Sequence, residues 1–146
     1  MSQVIQPVNG AGVKLELDGN GYATLIAATT YFFELPAELA VKPLQSFSAQ
    51  WDAVIVMTSL SPQDTNIGDA TSFADTLGAW LTQNPTTAYV PALGGVATQA
   101  VVAVAGGTAG GATWNLSLGS GRKRIKVIVG ATGGKLRIFG SGIGMA

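Results

Sequence analysis

The residues with chemistry to offer are five cations near the end of the chain: Arg122, Arg124, Lys126, Lys135 and Arg137. Side chains alternate between the two faces of a strand, so Arg122, Arg124 and Lys126 project one way while Lys123, Ile125, Val127 and Val129 project the other. Beyond a glycine-bearing turn at residues 130–134, Lys135 and Arg137 share a face opposite Leu136 and Ile138. Placing both apolar faces on one core puts all five cations on a single outer face of a terminal hairpin. Like charges opposite one another on neighbouring strands repel, so an anionic surface is expected against them. The first candidate is the protein's own acids, met within the fold or across a subunit boundary. Nucleic acid ranks second, because the chain is neutral as a whole and no aromatic side chain interleaves the basic positions. An acidic protein partner is third.

Other reactive groups are missing or dispersed. With no cysteine there is no disulfide framework, thiolate metal site, Cys nucleophile or iron-sulfur cluster. With no histidine, the Ser-His-Asp triad and the common zinc sites are excluded too. The acids form no paired cluster of the kind glycoside hydrolysis uses. Asp64, Asn66, Gly68 and Asp69 hold oxygen ligands around a glycine, as calcium loops do, but no ligand ladder runs to a closing Glu, and turn chemistry accounts for them. Trp51, Trp80 and Trp114 lie in alternating or apolar stretches, where burial in a core or an interface is expected before a sugar-stacking platform. The glycine pairs at 94–95, 106–107, 110–111 and 133–134 read as hairpin turns, the run 106–111 as a flexible tip. None leads into the Gly-Lys-Ser/Thr of a phosphate loop. Catalysis is therefore not the expected job, and no cofactor or metal is implied.

Charge is scarce and unevenly placed. Only 11% of the 146 residues are charged, against about a quarter in an ordinary soluble domain, so the surface is short of the groups that keep molecules apart. All eight acids lie within the first 75 residues, accompanied by only Lys14 and Lys42; residues 76–121 carry no charge; the remaining six basic residues follow without an acid. Such a layout suits contact with something charged, another copy of the chain included.

The elements that must position these groups are strands. Alternation with period two, punctuated by Gly and Pro, runs through most of the chain. Residues 13–17 and 22–33 read as a hairpin around a turn at 18–21. Phe47, Ala49, Trp51, Ala53, Ile55 and Met57 share the core face of one strand. Residues 61–78 read as a long polar connection over a sheet edge, with at most a short helix at 69–77. Further strands are expected at 79–81, 88–90, 96–105, 112–118, 122–129 and 135–139. The expected fold is all-β: one antiparallel β-sandwich or barrel, jelly-roll-like or Ig-like, with long loops and little helix. Residues 1–12 are expected to form an N-terminal arm, and 13–146 the single β domain. The start has no basic n-region or long apolar stretch, so no signal peptide is expected. The least polar window, 88–106, is broken by Pro91, Gly94, Gly95, Thr98 and Gln99, so no membrane span is expected.

A start without a leader, the absence of Cys and His, the Gly/Ala/Thr-rich strand rhythm and the closing Lys135-Leu-Arg-Ile-Phe-Gly-Ser-Gly-Ile-Gly144 together resemble small virion proteins of tailed bacteriophages. The resemblance implies a capsid decoration (cement) or minor capsid protein, with a tail structural protein as second choice. It implies location in the virion, a homo-oligomer and another capsid protein as partner, and it carries over no site residues. Composition leads to the same class: a self-assembling structural chain whose surface neighbours cover. The competing reading is a binding module that uses the basic hairpin on nucleic acid or an acidic partner.

Overall fold

The computed structural model describes residues 2–65, 70–73, 80–82, 87–90, 95–97, 101–115 and 121–144. The chain forms two antiparallel sheets facing each other across one core, with a single short helix, α1 (Ala37–Ala40), among these residues. The seven-stranded sheet holds β1 (Ser2–Val4), β3 (Ala23–Leu25), β5 (Leu44–Trp51), β8 (Thr87–Val90), β9 (Gly95–Ala97), β11 (Gly110–Asn115) and β13 (Gly134–Ile143). Its order is β1-β13-β5-β11-β8-β9, with β3 paired to β13. The six-stranded sheet holds β2 (Val8–Asn9), β4 (Thr30–Glu34), β6 (Met57–Thr65), β7 (Leu81–Thr82), β10 (Val102–Val104) and β12 (Arg122–Val129), ordered β10-β6-β12-β4-β2 with β7 beside β6.

Alternation decides which side chains fill the space between the sheets. Phe47, Ala49 and Trp51 of β5, Leu136 and Ile138 of β13, and Ala112 and Trp114 of β11 point inward from one sheet. Tyr31 and Phe33 of β4, Ile125, Val127 and Val129 of β12, and Met57 and Leu60 of β6 meet them from the other. Fully burying a side chain of this kind contributes about 1.5–3 kcal/mol, which offsets the ordering of the backbone that carries it.

Three corners at one end carry the chain from sheet to sheet, and they hold one another. At 26–29 the backbone N–H of Ala28 donates to Gly130 O (2.9 Å), and that of Val129 to Thr29 O (3.0 Å); Ala28 itself sits at φ 58°. At 52–56 the Val56 N–H reaches Thr132 O (2.9 Å), and Gly130 N–H returns to Val56 O (2.8 Å). Asp52 ties this corner: Oδ1 accepts from Val54 N (3.1 Å) and Ile55 N (3.0 Å), and Oδ2 from Lys135 N (3.0 Å). The third corner, 130–133, is squeezed between the others. A Cβ on Gly133 would collide with Leu25 O, so that position takes no side chain.

These corners correct several expectations. Residues 22–33 divide into β3 and β4 on different sheets, and 47–57 divides into β5 and β6; Ala53 is exposed at the bend instead of lying in the core. Residues 96–105 likewise contribute β9 to one sheet and β10 to the other. Residues 61–65, expected in a connection, extend β6 because they pair with Arg122–Arg124 and Ile125–Lys126 of the neighbouring strand. Residues 13–17 form no strand beyond a bridge from Val8 to Lys14, although Leu15 and Leu17 pack against the core. The expected arm is built into the sandwich: β1 pairs with β13, β2 with β4, and Ile5 is buried. Of the glycine pairs, 106–107 forms a turn with φ 89° and 87°, whereas Gly110–Gly111 lies inside β11, where a Cβ on Gly111 would stand 2.7 Å from Ala49 O. Most of the short helix expected at 69–77, and Asn66–Asp69 of the aspartate-rich run, lie outside the described residues.

Candidate functional site

The expected hairpin of five cations does not exist, because β12 and β13 belong to opposite sheets. The 130–133 link is a sheet-to-sheet corner, so apolar faces that both turn inward leave the cations pointing out on opposite sides of the molecule. Arg122, Arg124 and Lys126 stand on the outer face of the six-stranded sheet, and Lys135 and Arg137 on that of the seven-stranded sheet.

One end of the outer face of the six-stranded sheet, around Arg122 and Arg124, is covered by the chain itself, while Thr58 and Ala103 elsewhere on that sheet are exposed. Arg124 is fully buried: its guanidinium lies 4.4 Å from the Phe32 ring centre and 4.2 Å from that of Trp80, while Nε donates to Gln63 Oε1 (2.8 Å) and Nη1 to Ser72 O (3.0 Å). Beside it Arg122 forms a two-pronged pair with Glu34, through Nε (2.9 Å) and Nη2 (3.0 Å), and donates from Nη1 to Ala70 O (2.7 Å). Trp80, buried on top of both guanidiniums, donates from Nε1 to Thr71 O (2.8 Å). A two-pronged guanidinium–carboxylate contact and ring stacking are strong uses of arginine, and here both serve to fasten residues 70–73 and 80 over the sheet. Lys126 is half-buried on the same face, in register with Ser61 and Phe32. Lys123 turns inward as alternation requires and is 5% exposed, opposite Asp64 at the end of the strand.

On the other sheet, Lys135 Nζ lies 3.3 Å from Asp18 Oδ2. Arg137 donates through Nε to Gln50 Oε1 (3.0 Å) and through Nη1 to Asn20 O (2.7 Å), with Nη2 also on Gln50 Oε1. Its guanidinium stacks 4.5 Å from the Tyr22 ring centre and 5.0 Å from that of Phe139. The expected turn at 18–21 positions these partners: Asp18 Oδ1 accepts from Asn20 N (2.9 Å) and Tyr22 N (3.0 Å), and Gly21 adopts φ 84°. The backbone hydrogen bonds from Tyr22 and Asn20, with Lys135 adding to them, hold the Asp18 carboxyl below the ordinary aspartate value. Glu38, which accepts from the Gln3 amide (2.9 Å), is lowered too.

On the rest of this outer face the described side chains of β13, β5 and β11 are half-buried or exposed. Across β13, β5 and β11 the register aligns Phe139, Ser48 and Thr113 in one row and Ser141, Ser46 and Asn115 in the next. Ser48 Oγ and Thr113 Oγ1 share a hydrogen bond of 3.2 Å. Leu44 and Ile143, paired at the far end, are 51% and 59% exposed. Among the described residues of these strands, Lys135 and Arg137 are the only charges on this face, both at one end. Trp51 and Trp114 are in the core, so no tryptophan platform forms with Trp80. A cavity of about 350 Å³ beside α1 is lined mainly by Leu35, Ala37, Ala40 and Val41, with the Arg122–Glu34 pair at its rim.

Sequence reasoning placed the five cations on outward faces and put the protein's own acids first as their partners; Glu34 stands against Arg122 and Asp18 against Lys135 within the fold, whereas the partners of Arg124 and Arg137 were missed. Gln63, Phe32 and Trp80 meet Arg124 only through strand register and the overlying chain, for which linear spacing carries no signal. Among the described residues no group of three or more His, Cys, Asp or Glu side chains could hold a metal ion, and no helix is long and apolar enough to cross a membrane. No protein-family model, no curated protein sequence and no solved structure matches this chain.

Proposed function

We propose that this chain is a structural, self-assembling protein of the virion type, a capsid decoration (cement) or minor capsid component that braces neighbouring subunits. The observation that carries the reading is the contrast between the two outer faces. One is closed at one end by the chain's own residues, with Arg122 and Arg124 engaged beneath Trp80. The other, across the described residues of β13, β5 and β11, is a hydroxyl-rich surface with exposed Leu44 and Ile143 at one end and charge only from Lys135 and Arg137. A broad uncharged face in a chain with so few charges suits permanent coverage by a neighbour. The distribution of the cations on opposite sides, engaged with Glu34, Asp18, Gln50 and aromatic rings, favours assembly over a cationic binding hairpin.

Light scattering coupled to size exclusion, across protein concentration and at low and high salt, tests this reading. An oligomer that persists at high salt is expected, because screening weakens charged contacts and leaves apolar and neutral ones intact. A strict monomer at every concentration overturns it. If such a monomer also binds nucleic acid with a steep salt dependence, a nucleic-acid-binding module replaces it.

A further inference from the structure

Two asparagines in the chain are followed by glycine, in Asn9-Gly10 and Asn20-Gly21. Such a pair is open to an internal reaction, because no Cβ on the second residue shields its backbone nitrogen from the asparagine amide carbon. By sequence the two sites are alike. The fold treats them differently.

Asn9 is half-buried and its side chain is engaged: Oδ1 accepts from Ala11 N (2.9 Å) and Val13 N (3.1 Å), closing the turn at 9–13. Asn20 is exposed, and among the described residues its side-chain amide has no hydrogen-bond partner, so it can turn towards its own backbone. The peptide bond it meets there is polarised. The carbonyl oxygen of Asn20 accepts from Arg137 Nη1 at 2.7 Å. When the Gly21 N–H of that same peptide loses its proton, negative charge spreads onto this oxygen, where the guanidinium stabilises it. The cost is one neutral hydrogen bond, from Gly21 N to Asp18 O (3.0 Å).

We propose that Asn20 is a self-modification site, converted to an acid through a cyclic imide, with Arg137 stabilising the peptide anion that reacts. The Gly21 nitrogen, its proton passed to hydroxide, forms a bond to Asn20 Cγ. The Cγ–Nδ2 bond breaks, and the nitrogen leaves as ammonia after taking a proton from water. Water then adds to one of the two ring carbonyls. Opening at one leaves an aspartyl residue at position 20; opening at the other leaves an isoaspartyl residue, whose main chain is longer by one carbon and whose carbonyl is displaced from Arg137. Either product takes the chain from a formal net charge of zero to one negative charge, in the turn that holds Asp18.

The test is incubation of the folded chain at neutral and mildly alkaline pH, followed by peptide mapping with mass spectrometry and isoaspartate detection. Asn20 is expected to acquire the amide-to-acid mass gain about tenfold faster than Asn9, the rate equivalent of one further hydrogen bond given up. In the urea-unfolded chain the two sites should convert at similar rates, because only the fold separates them. Arg137→Gln is expected to slow conversion at Asn20 and Arg137→Lys to restore part of it, whereas a turn that had merely loosened would react faster. Equal rates at Asn9 and Asn20 in the folded protein, or an Asn20 that stays intact while the unfolded chain converts, overturn the site. Faster conversion in Arg137→Gln overturns the part given to Arg137.

Discussion

Arg124 lies fully buried on a face that strand alternation assigns to solvent. Desolvating a guanidinium is costly unless its donors and its planar faces find partners, and here Gln63, Ser72 O, Phe32 and Trp80 supply them. Trp80 belongs to no long strand, yet it closes this stack and ties its own indole N–H to Thr71 O. Trp80→Ala is therefore expected to lower unfolding free energy by about 3–5 kcal/mol, the usual cost of emptying a buried large aromatic site, with urea denaturation as the measurement. A loss under about 0.5 kcal/mol, typical of surface substitutions, would show that the covering segment adds nothing to stability. Neither the burial of Arg124 nor its contact with Trp80 is readable from spacing. The cation and the ring are 44 positions apart and meet because residues 70–73 and 80 fold over the sheet.

The turn at residues 18–21 was legible as a turn, and its chemistry follows from a single side chain. Asp18 accepts two backbone N–H bonds and approaches Lys135, and all three interactions favour the ionised carboxylate. Its folded pKa lies below the unfolded value, so its stabilising contribution is complete above the ordinary aspartate range and disappears as pH falls through the lowered folded value. The amide signals of Asn20 and Tyr22 in an NMR titration should shift together below that range, and Asp18→Asn should abolish the shift; a midpoint at the ordinary aspartate value would contradict the geometry. Strand β12 and the strand character of 88–90 and 112–115 were equally legible, because each lies in one sheet and its alternation is local. The divisions at 26–29 and 52–56 were not, since the apolar rhythm continues across each corner while the partner sheet changes. Asp52 and the 130–133 corner create these bends through contacts with distant residues.

The sandwich closes one sheet edge by pairing β1 with β13. Ser2, Gln3 and Val4 pair with Ser141, Gly140 and Phe139, and Ile5 plugs the core where Gly140 leaves room for it. Ile5→Ala should then cost about 2–5 kcal/mol in chemical denaturation, whereas a frayed arm would tolerate the change within about 0.5 kcal/mol. The amino-acid order alone determined that the chain is an antiparallel β protein with little helix, that Ile125, Val127, Leu136 and Ile138 face inward, and that the five terminal cations face outward. These follow from local alternation, which depends only on each residue's neighbours along the strand. Tertiary structure alone decided that β12 and β13 lie in opposite sheets, and hence that the cations part company instead of forming one patch. The physical reason is that the same alternating run satisfies a hairpin and a corner equally well. The choice falls to Gly133 against Leu25 O, to Asp52 on Lys135 N, and to the cover that Trp80 places over only one of the two faces.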